Sequence, residues 1–218
     1  FSVEKETEVS IESNYVKLAK THQMRGLGVR VVNSGSLGFA SSNSHNITDV
    51  ENTVTRAVKI ASVTPPDHDN IIPSPKKANL VSDLYDPLVE NFGVEDAVQQ
   101  AATMLSTARN YDSRISVDSG GFSTSLYKRG LVNSNGIEVE EEGSMLIWSI
   151  MGMASDNGTV SSFDIQYGAS RNLNAVNTSM AALEFAKNVI SSLDARKTDS
   201  FKGEVVFSPQ ASLEVLLD

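Results

Sequence analysis

GLGVRVVNSGSLGFASSN, residues 26–43, is the stretch that decides how the N-terminal part of this 218-residue chain folds. Val29, Val31 and Phe39 stand among small and polar residues with partial two-residue alternation, which is typical of strands with one buried face. Asn33-Ser34-Gly35 lies between the two runs and has the composition of a tight turn. The stretch therefore predicts a β-hairpin.

The residues on either side of the hairpin extend this α/β pattern. Residues 3–12 alternate as a half-exposed strand does, and residues 15–23 fit either a second strand or a short irregular arm. Downstream, Thr48 has the character of an N-cap, with Glu51 at capping-box spacing. Apolar residues at helical spacing then predict a helix that ends before Pro65-Pro66 and packs on the hairpin. The apolar residues at this spacing are Val50, Val54, Val58 and Ala61.

Two further helices are predicted from apolar spacing, at residues 94–111 and 175–193. A proline-rich loop at residues 64–75 precedes the first of them. The predicted buried stripe of the first is Val94, Val98, Ala101, Ala102 and Leu105. That of the second is Leu183, Ala186, Val189 or Ile190, and Leu193.

The region between these two helices has β character. Short apolar runs separated by glycine predict an antiparallel meander with strands at 114–117, 123–128, 131–133, 137–141 and 144–153. Asn135-Gly136 predicts a type I′ turn, which requires positive φ at both central positions. Residues 205–207 predict a strand, and Pro209 is predicted to be the first residue of a helix. The sequence ends at Asp218 within this helical pattern, as expected of a fragment.

These elements predict an α/β (α+β) fold: an N-terminal mixed sheet with packed helices, then an antiparallel meander and a long helix. The corresponding domains are an N-terminal α/β domain at 1–112, the meander with its helix at 113–200, and the start of a truncated C-terminal domain at 201–218. Both boundaries are placed where the composition changes.

Composition limits the classes of function. The net charge is -9, so a nucleic-acid groove, which needs a basic footprint, is not expected. The chain has no cysteine, which removes disulfides, thiolate ligands and a cysteine nucleophile. The N-terminus carries acidic residues where a signal peptide is apolar, and no apolar run is long enough for a membrane span. We expect a cytoplasmic protein without membrane partners.

The sequence predicts no catalytic residue and no metal ligand within this chain. It has three histidines, none paired at one helical turn as zinc peptidase helices require. Asp67-His68-Asp69 could chelate a cation weakly, but adjacent side chains in a loop point in different directions. The serine-hydrolase and phosphate-loop motifs are absent, and residues 159–173 match no functional motif.

Three features allow two interpretations each. Arg30 is a strand residue that reaches solvent or a partner of a buried carboxylate. The acidic run at residues 138–142 is a solvated strand edge that discourages unwanted pairing or a site for a cation or basic peptide. Trp148, within a methionine-rich strand, belongs to the core or lines a cleft between subunits.

Four segments together resemble the TldD/PmbA family, whose members are also called modulators of DNA gyrase and TldD/TldE-type metallopeptidases. They are the hairpin 26–43, LVNSNGIEVE at 131–140, AALEFAKNVISSLDARK at 181–197 and GEVVFSP at 203–209. They follow the order of the family and cover most of the chain. The signature residues, expected to be structural rather than catalytic, are Gly28, Arg30, Gly38, Asn133, Ser134 and Gly136.

The resemblance implies a dimer enclosing a cavity, either a homodimer or a heterodimer with a TldD-like subunit, that acts on peptides. In the TldD branch an HExxxH helix binds zinc, and the TldE/PmbA branch lacks it. The chain stops at Leu217-Asp218 without histidine, which favours the TldE/PmbA branch. Zinc is then expected in the full assembly and not on this segment.

Two functions follow from the resemblance. The first is a supporting subunit of a cytoplasmic zinc metallopeptidase that cleaves peptides or unfolded segments. The alternative is a non-enzymatic module that binds a peptide or protein by strand addition, as a gyrase-modulator-like regulator. Direct contact with DNA is disfavoured by the acidity of the chain.

Overall fold

A computed structural model describes residues 1–76, 81–197 and 199–216. Leu217-Asp218, on which the branch prediction rests, lies outside the described residues. The regular elements are β1 (Ser2–Glu12), β2 (Tyr15–Asn33), β3 (Ser36–Ser42), α1 (Ile47–Ala61), α2 (Val94–Tyr111), β4 (Ile115–Val132), β5 (Glu138–Asp156), β6 (Thr159–Val160), β7 (Asp164–Ser170), α3 (Thr178–Ser191) and α4 (Pro209–Leu216).

The predicted fold class is confirmed, and one seven-stranded sheet organises it. The strands lie in the order β3-β2-β1-β4-β5, and both β6 and β7 pair with β5. Every strand pair is antiparallel in the part of the chain described. Because β1 pairs with β2 on one side and β4 on the other, the sheet runs through the predicted boundary at residue 112. The division into domains stays a prediction.

Long continuous strands replace the predicted short runs. Residues 15–23 are part of strand β2 and not an irregular arm, and residues 115–132 form one strand with a bulge between Val117 and Ser119. The prediction that glycines separate strands was right at Gly136 but wrong at Gly120, Gly121, Gly130 and Gly143, which lie inside strands. A Cβ on Gly120 would lie 2.5 Å from the Ser149 carbonyl oxygen, and one on Gly121 would meet the Val9 carbonyl oxygen.

The two predicted hairpin turns differ. Ser34 and Gly35 have φ of 50° and 84°, as a type I′ turn requires, so the first hairpin is confirmed. The type I′ prediction for Asn135-Gly136 was wrong, because only Gly136 of the pair has positive φ, at 91°. There the Asn133 side chain closes the loop by accepting from the backbone N–H groups of Asn135 and Ile137 at 3.1 and 3.0 Å.

Helices α2 and α3 cover one face of the sheet and form the core with it. Phe122 and Trp148 pair across β4 and β5 in this core, and the Phe122 ring lies 5.7 Å from that of Phe92. Trp148 is 7% exposed, so it belongs to the core. Its neighbour Ile147, on the opposite face of β5, is 48% exposed. Alternation along β5 therefore separates a buried face from an open one.

Helix α1 packs on the hairpin as predicted, but through a different face. Its N-cap is Asn46 and not Thr48, since the Asn46 side chain accepts from the Asp49 N–H at 2.9 Å. Its buried residues are Thr53, Ala57 and Ala61. Of the apolar residues at helical spacing, Ala61 is buried and Val50 partly buried, whereas Val54 and Val58 are exposed. Gly38 explains the difference: a Cβ there would lie 2.5 Å from the Ala61 nitrogen. Only small residues allow such an approach.

Helix α2 has the predicted bounds but a buried stripe shifted by one residue. Its buried residues are Ala97, Ala101, Met104 and Ala108. Of the predicted set, Ala101 is buried, and Val98 and Leu105 pack at the edge of the core. The smaller residues face the sheet here too.

The C-terminal predictions are partly confirmed. Helix α3 begins at Thr178, capped by Asn177, because a separate 3₁₀ turn occupies residues 173–175. It buries Ala182, Phe185, Ala186 and Val189, whereas Leu183 is exposed. The strand predicted at 205–207 was wrong: this segment is exposed and has no pairing partner among the described residues, and a strand needs one. Pro209 begins α4 as predicted.

Candidate functional site

The predicted signature residues fall into two groups. Gly28, Arg30 and Gly38 lie in the β2–β3 hairpin, where Arg30 pairs with Phe39 and Gly38 with Val31. Arg30 is exposed, and no salt bridge joins it to a carboxylate among residues 1–76, 81–197 and 199–216. Its placement agrees with a strand residue that reaches solvent.

The second group, Asn133, Ser134 and Gly136, forms the loop between β4 and β5. The Asn133 side chain donates to the Pro73 carbonyl oxygen at 2.8 Å, and that of Asn135 donates to the Ile72 carbonyl oxygen at 2.7 Å. The proline-rich loop predicted at 64–75 thus packs against this turn. It also holds the other hairpin, since the Asn70 side chain donates to the Gly35 carbonyl oxygen at 2.9 Å. Among the signature residues, Asn133 therefore fixes the turn between β4 and β5.

The candidate functional surface is the face of the sheet opposite α2 and α3, which we call the open face. Its side chains are partly or fully exposed, and no helix in the described part of the chain covers them. It combines an acidic row on β1, a hydroxyl row on β4 and an apolar row on β5. These residues are Glu4, Glu6, Glu8, Ser123, Ser125, Tyr127, Met145, Ile147, Met151 and Met153.

The acidic row is partly neutralised by β2. Glu8 lies 2.9 Å from the Lys20 ammonium, and the hydrogen bond between them raises the pKa of Lys20. Glu6 lies 3.2 Å from His22 Nε2, while His22 Nδ1 is buried without a hydrogen-bond partner in the described structure.

A polar cluster closes one end of the open face. Arg171, which follows β7, donates through Nη1 to the Tyr127 hydroxyl at 3.0 Å. The Arg129 guanidinium lies over the Tyr127 ring, 4.4 Å from its centroid, as in a cation–π contact. The sequence analysis did not identify these three residues as a site. Their proximity depends on the pairing of strands that are distant in sequence, and no local sequence pattern indicates it.

The acidic run at 138–142 is a solvated segment of β5. Lys128 on β4 lies 3.2 Å from Glu140 and 3.1 Å from Glu142, and the pKa of Lys128 is raised by hydrogen bonds to these carboxylates, the one to Glu142 first. The glutamates thus have a cross-strand partner within the sheet, which supports the edge interpretation over a cation site.

The residues described do not fit a zinc ion. No group of three or more His, Cys, Asp or Glu side chains in that part of the chain is placed to hold a metal. Asp67-His68-Asp69 forms no such group, and His22 has only Glu6 beside it. Structural and catalytic zinc sites take at least three protein ligands.

Comparison with known proteins gives the family. The sequence-family model for domain 1 of PmbA/TldA metallopeptidases matches residues 1–61. The family model for their central domain matches residues 87–193. The chain belongs to the PmbA/TldD family. The family's first domain thus supplies β1, β2, β3 and α1, and its central domain supplies α2, the meander and α3.

Two curated relatives align along almost the whole chain. An uncharacterised protein of Methanocaldococcus jannaschii is 28% identical over 217 residues, covering 97% of this chain and 47% of the relative. A metalloprotease PmbA homologue of Buchnera aphidicola is 24% identical over 209 residues, covering 94% of this chain and 46% of the relative. The chain therefore spans about half the length of the curated relatives it matches.

Solved structures of the PmbA/TldD family share the fold. TldE from Thermococcus kodakarensis superposes with a TM-score of 0.81 at 21% identity, over 87% of this chain and 43% of that one. A proposed modulator of DNA gyrase from Thermotoga maritima superposes with a TM-score of 0.78 at 16% identity, over 92% of this chain and 45% of that one.

Among the described residues, no helix is long and apolar enough to cross a membrane.

Proposed function

We propose that this chain is the PmbA/TldE-type supporting subunit of a TldD/TldE-like cytoplasmic zinc metallopeptidase, and that its open face binds peptides or unfolded segments. The observation that carries the proposal is the open face itself, in a chain of the PmbA/TldD family. Neighbouring strands place acidic, hydroxyl and apolar side chains in adjacent rows about 4.8 Å apart. An extended chain lying across them meets all three chemistries within a few residues.

The composition of the open face suits ligands of variable sequence. Met145, Met151 and Met153 provide flexible, polarizable contacts that adapt to different side chains. Ser123 and Ser125 offer hydrogen bonds in either direction, as donors or acceptors. A surface built in this way discriminates weakly between peptides, as a subunit that presents unfolded segments requires.

No step of peptide hydrolysis is assigned to the described residues, because they do not fit zinc. In the proposed assembly a TldD-like subunit supplies the metal and the water that it activates, and this chain holds the substrate. Zinc lowers the pKa of its bound water and so provides the nucleophile. The pairing of the two subunits is part of the proposal.

The test is to measure zinc content and hydrolysis of an unfolded, fluorescently quenched peptide by the full-length protein, alone and mixed with a TldD-like subunit. We expect no zinc and no hydrolysis alone, and hydrolysis on mixing above that of the TldD-like subunit by itself. A matched mixture treated with a chelator is the control. Zinc and activity in the isolated protein would instead assign it to the catalytic branch.

A second candidate function is peptide or protein binding by strand addition without catalysis. Strand β3 favours it, because among the described residues β3 pairs only with β2 and leaves its other edge open. Phe39 on this strand is 55% exposed and could contact an added strand. Peptide binding with no hydrolysis in any mixture would support this function. DNA binding is not expected of either, and a salt-dependent shift on DNA would contradict both.

A further inference from the structure

Arg171 is held in place by a buried network. Ser144, fully buried, donates its hydroxyl to the Arg171 carbonyl oxygen at 2.6 Å and accepts from the backbone N–H of Asp86 at 2.9 Å. The Asp86 carboxylate accepts from the Leu173 N–H at 2.7 Å, two residues beyond Arg171. The backbone that follows this arginine is therefore fixed at two points.

Among the described residues, only Nη1 of the Arg171 guanidinium has hydrogen-bond partners. Nη1 donates to the carbonyl oxygen of Ser144 at 3.3 Å and to the Tyr127 hydroxyl at 3.0 Å, with a longer contact to Leu84 at 3.5 Å. Nε and Nη2 have no acceptor among the described residues. An arginine with a free Nε–Nη2 edge presents two parallel donors, the geometry that binds a carboxylate in bidentate fashion.

Arg129 and Tyr127 add donors beside this edge. Arg129 is exposed, forms no salt bridge among the described residues and is oriented by its contact with the Tyr127 ring. The Tyr127 hydroxyl accepts from Arg171 and donates to no acceptor in the described structure, so its proton remains available. Two arginines that have no carboxylate partner in the described part of the chain thus meet at one aromatic ring, in a protein with net charge -9.

A cleft of about 310 Å³ on the open face joins these groups, with Met145 and Ile147 among its lining residues. We propose that this cleft binds the carboxylate of a peptide, with Arg171 and Arg129 on the carboxylate and the adjacent side chain on Met145 and Ile147. The carboxylate is the C-terminal group or that of an Asp or Glu side chain. The proposal deepens the peptide-binding part of the proposed function and rests on it.

Two carboxylates on the far side of the cleft oppose such a ligand. Glu4 and Glu6 line the same cleft, and each already has a partner, Ser125 and His22 respectively. Like charges repel the incoming carboxylate, whereas the two arginines attract it. Removal of charge on the two sides therefore has opposite effects on affinity.

The experiment measures binding of synthetic peptides to the full-length protein by fluorescence anisotropy at low salt. The probe is an N-labelled decapeptide of Gly, Ser and Ala ending in Leu, prepared as the free acid, as the amide, and as the amide with one internal Glu. We expect the free acid to bind about tenfold more tightly than the plain amide, as one charge-assisted interaction gives. If the amide with the internal Glu binds as tightly as the free acid, the site accepts either carboxylate. If it binds as weakly as the plain amide, the site takes the terminal group, and if it alone binds tightly, the site takes a side chain.

The variants locate the effect. Arg129→Gln should weaken binding of the free acid about tenfold and leave the amide unchanged, whereas Glu4→Gln should strengthen it. Arg109→Gln, the same substitution on α2 across the sheet, is the matched control and should behave as the wild type. Equal affinity for all three peptides, or full affinity in Arg129→Gln, would overturn the proposal. Because binding is read directly, this failure leaves the zinc and peptidase result untouched.

Discussion

Gly38→Ala is the sharpest test of how α1 joins the sheet. The new Cβ would lie 2.5 Å from the Ala61 nitrogen and nearer still to the Ala57 carbonyl oxygen. Both are backbone atoms of α1, so no flexible side chain can move aside, and the helix itself must shift. Overpacking usually lowers the free energy of unfolding by about 1–3 kcal/mol. Because the added methyl group meets backbone atoms, we expect Gly38→Ala to lie at the upper end, at about 3 kcal/mol.

The matched control is Gly28→Ala in the neighbouring strand. Its Cβ would lie 3.3 Å from the end of the Phe39 ring, which is exposed and free to turn. Alanine also loses less conformational entropy on folding than glycine, by about 0.5–1 kcal/mol. We therefore expect Gly28→Ala to be neutral or slightly stabilising.

Urea unfolding followed by circular dichroism measures both variants, and amide exchange in α1 detects a helix that detaches before the rest unfolds. A loss of about 3 kcal/mol corresponds to a drop of about 6–12 °C in the melting temperature for a chain of this size. If Gly38→Ala were no more destabilising than Gly28→Ala in both measurements, the close approach of α1 would not explain the signature glycine.

Three further outcomes follow from the structure. Phe122→Ala removes a ring that is 1% exposed and should cost about 3–5 kcal/mol in urea unfolding, with a loss below 1 kcal/mol contradicting its place in the core. Asn46→Ala removes the cap on the Asp49 N–H and should cost about 1 kcal/mol, whereas Thr48→Ala should cost less. Hydrogen bonds from Arg114 lower the pKa of Asp112 from 3.8 to about 2, so this carboxylate stabilises the fold above pH 3.8 and loses that effect as pH falls towards 2. As pH falls across this range, the urea midpoint should decrease less in Asp112→Asn than in the wild type. An equal decrease in both proteins would refute the stabilising role of the Asp112 carboxylate.

Elements fixed by local spacing were predictable. The bounds of α2 and the first hairpin follow from periodicity and turn composition within a dozen residues. The buried face of α1 was not predictable from the sequence. The valines at helical spacing are its most hydrophobic residues, but the surface of the hairpin at Gly38 accepts only small side chains. What decides the face is the bare backbone at Gly38, on another element. Tertiary approach thus overrides the apolar pattern.

Glycines were the main source of error in the strands. The sequence pattern placed Gly143 between two strands, yet Gly143 lies inside β5, beneath the Tyr127 ring. The aromatic partner stands on the neighbouring strand, so the local sequence gives no sign of it. The same argument applies to Arg129, Arg171 and Tyr127. They come together only because β4 pairs with β5 and because β7, which pairs with β5, ends beside them.

The central position of β1 has a consequence for how the protein is made. Glu4 on β1 contacts Ser125 on β4 across 121 positions of sequence. At a synthesis rate of about 5–20 residues per second, β1 waits on the order of ten seconds on the ribosome before its second neighbour exists. During that interval the β1–β2 hairpin carries an unpaired edge, with Val9 and Ile11 uncovered by α2 and α3. The sheet is therefore completed only after β4 has been made, and until then the open edge of the nascent hairpin is exposed to aggregation.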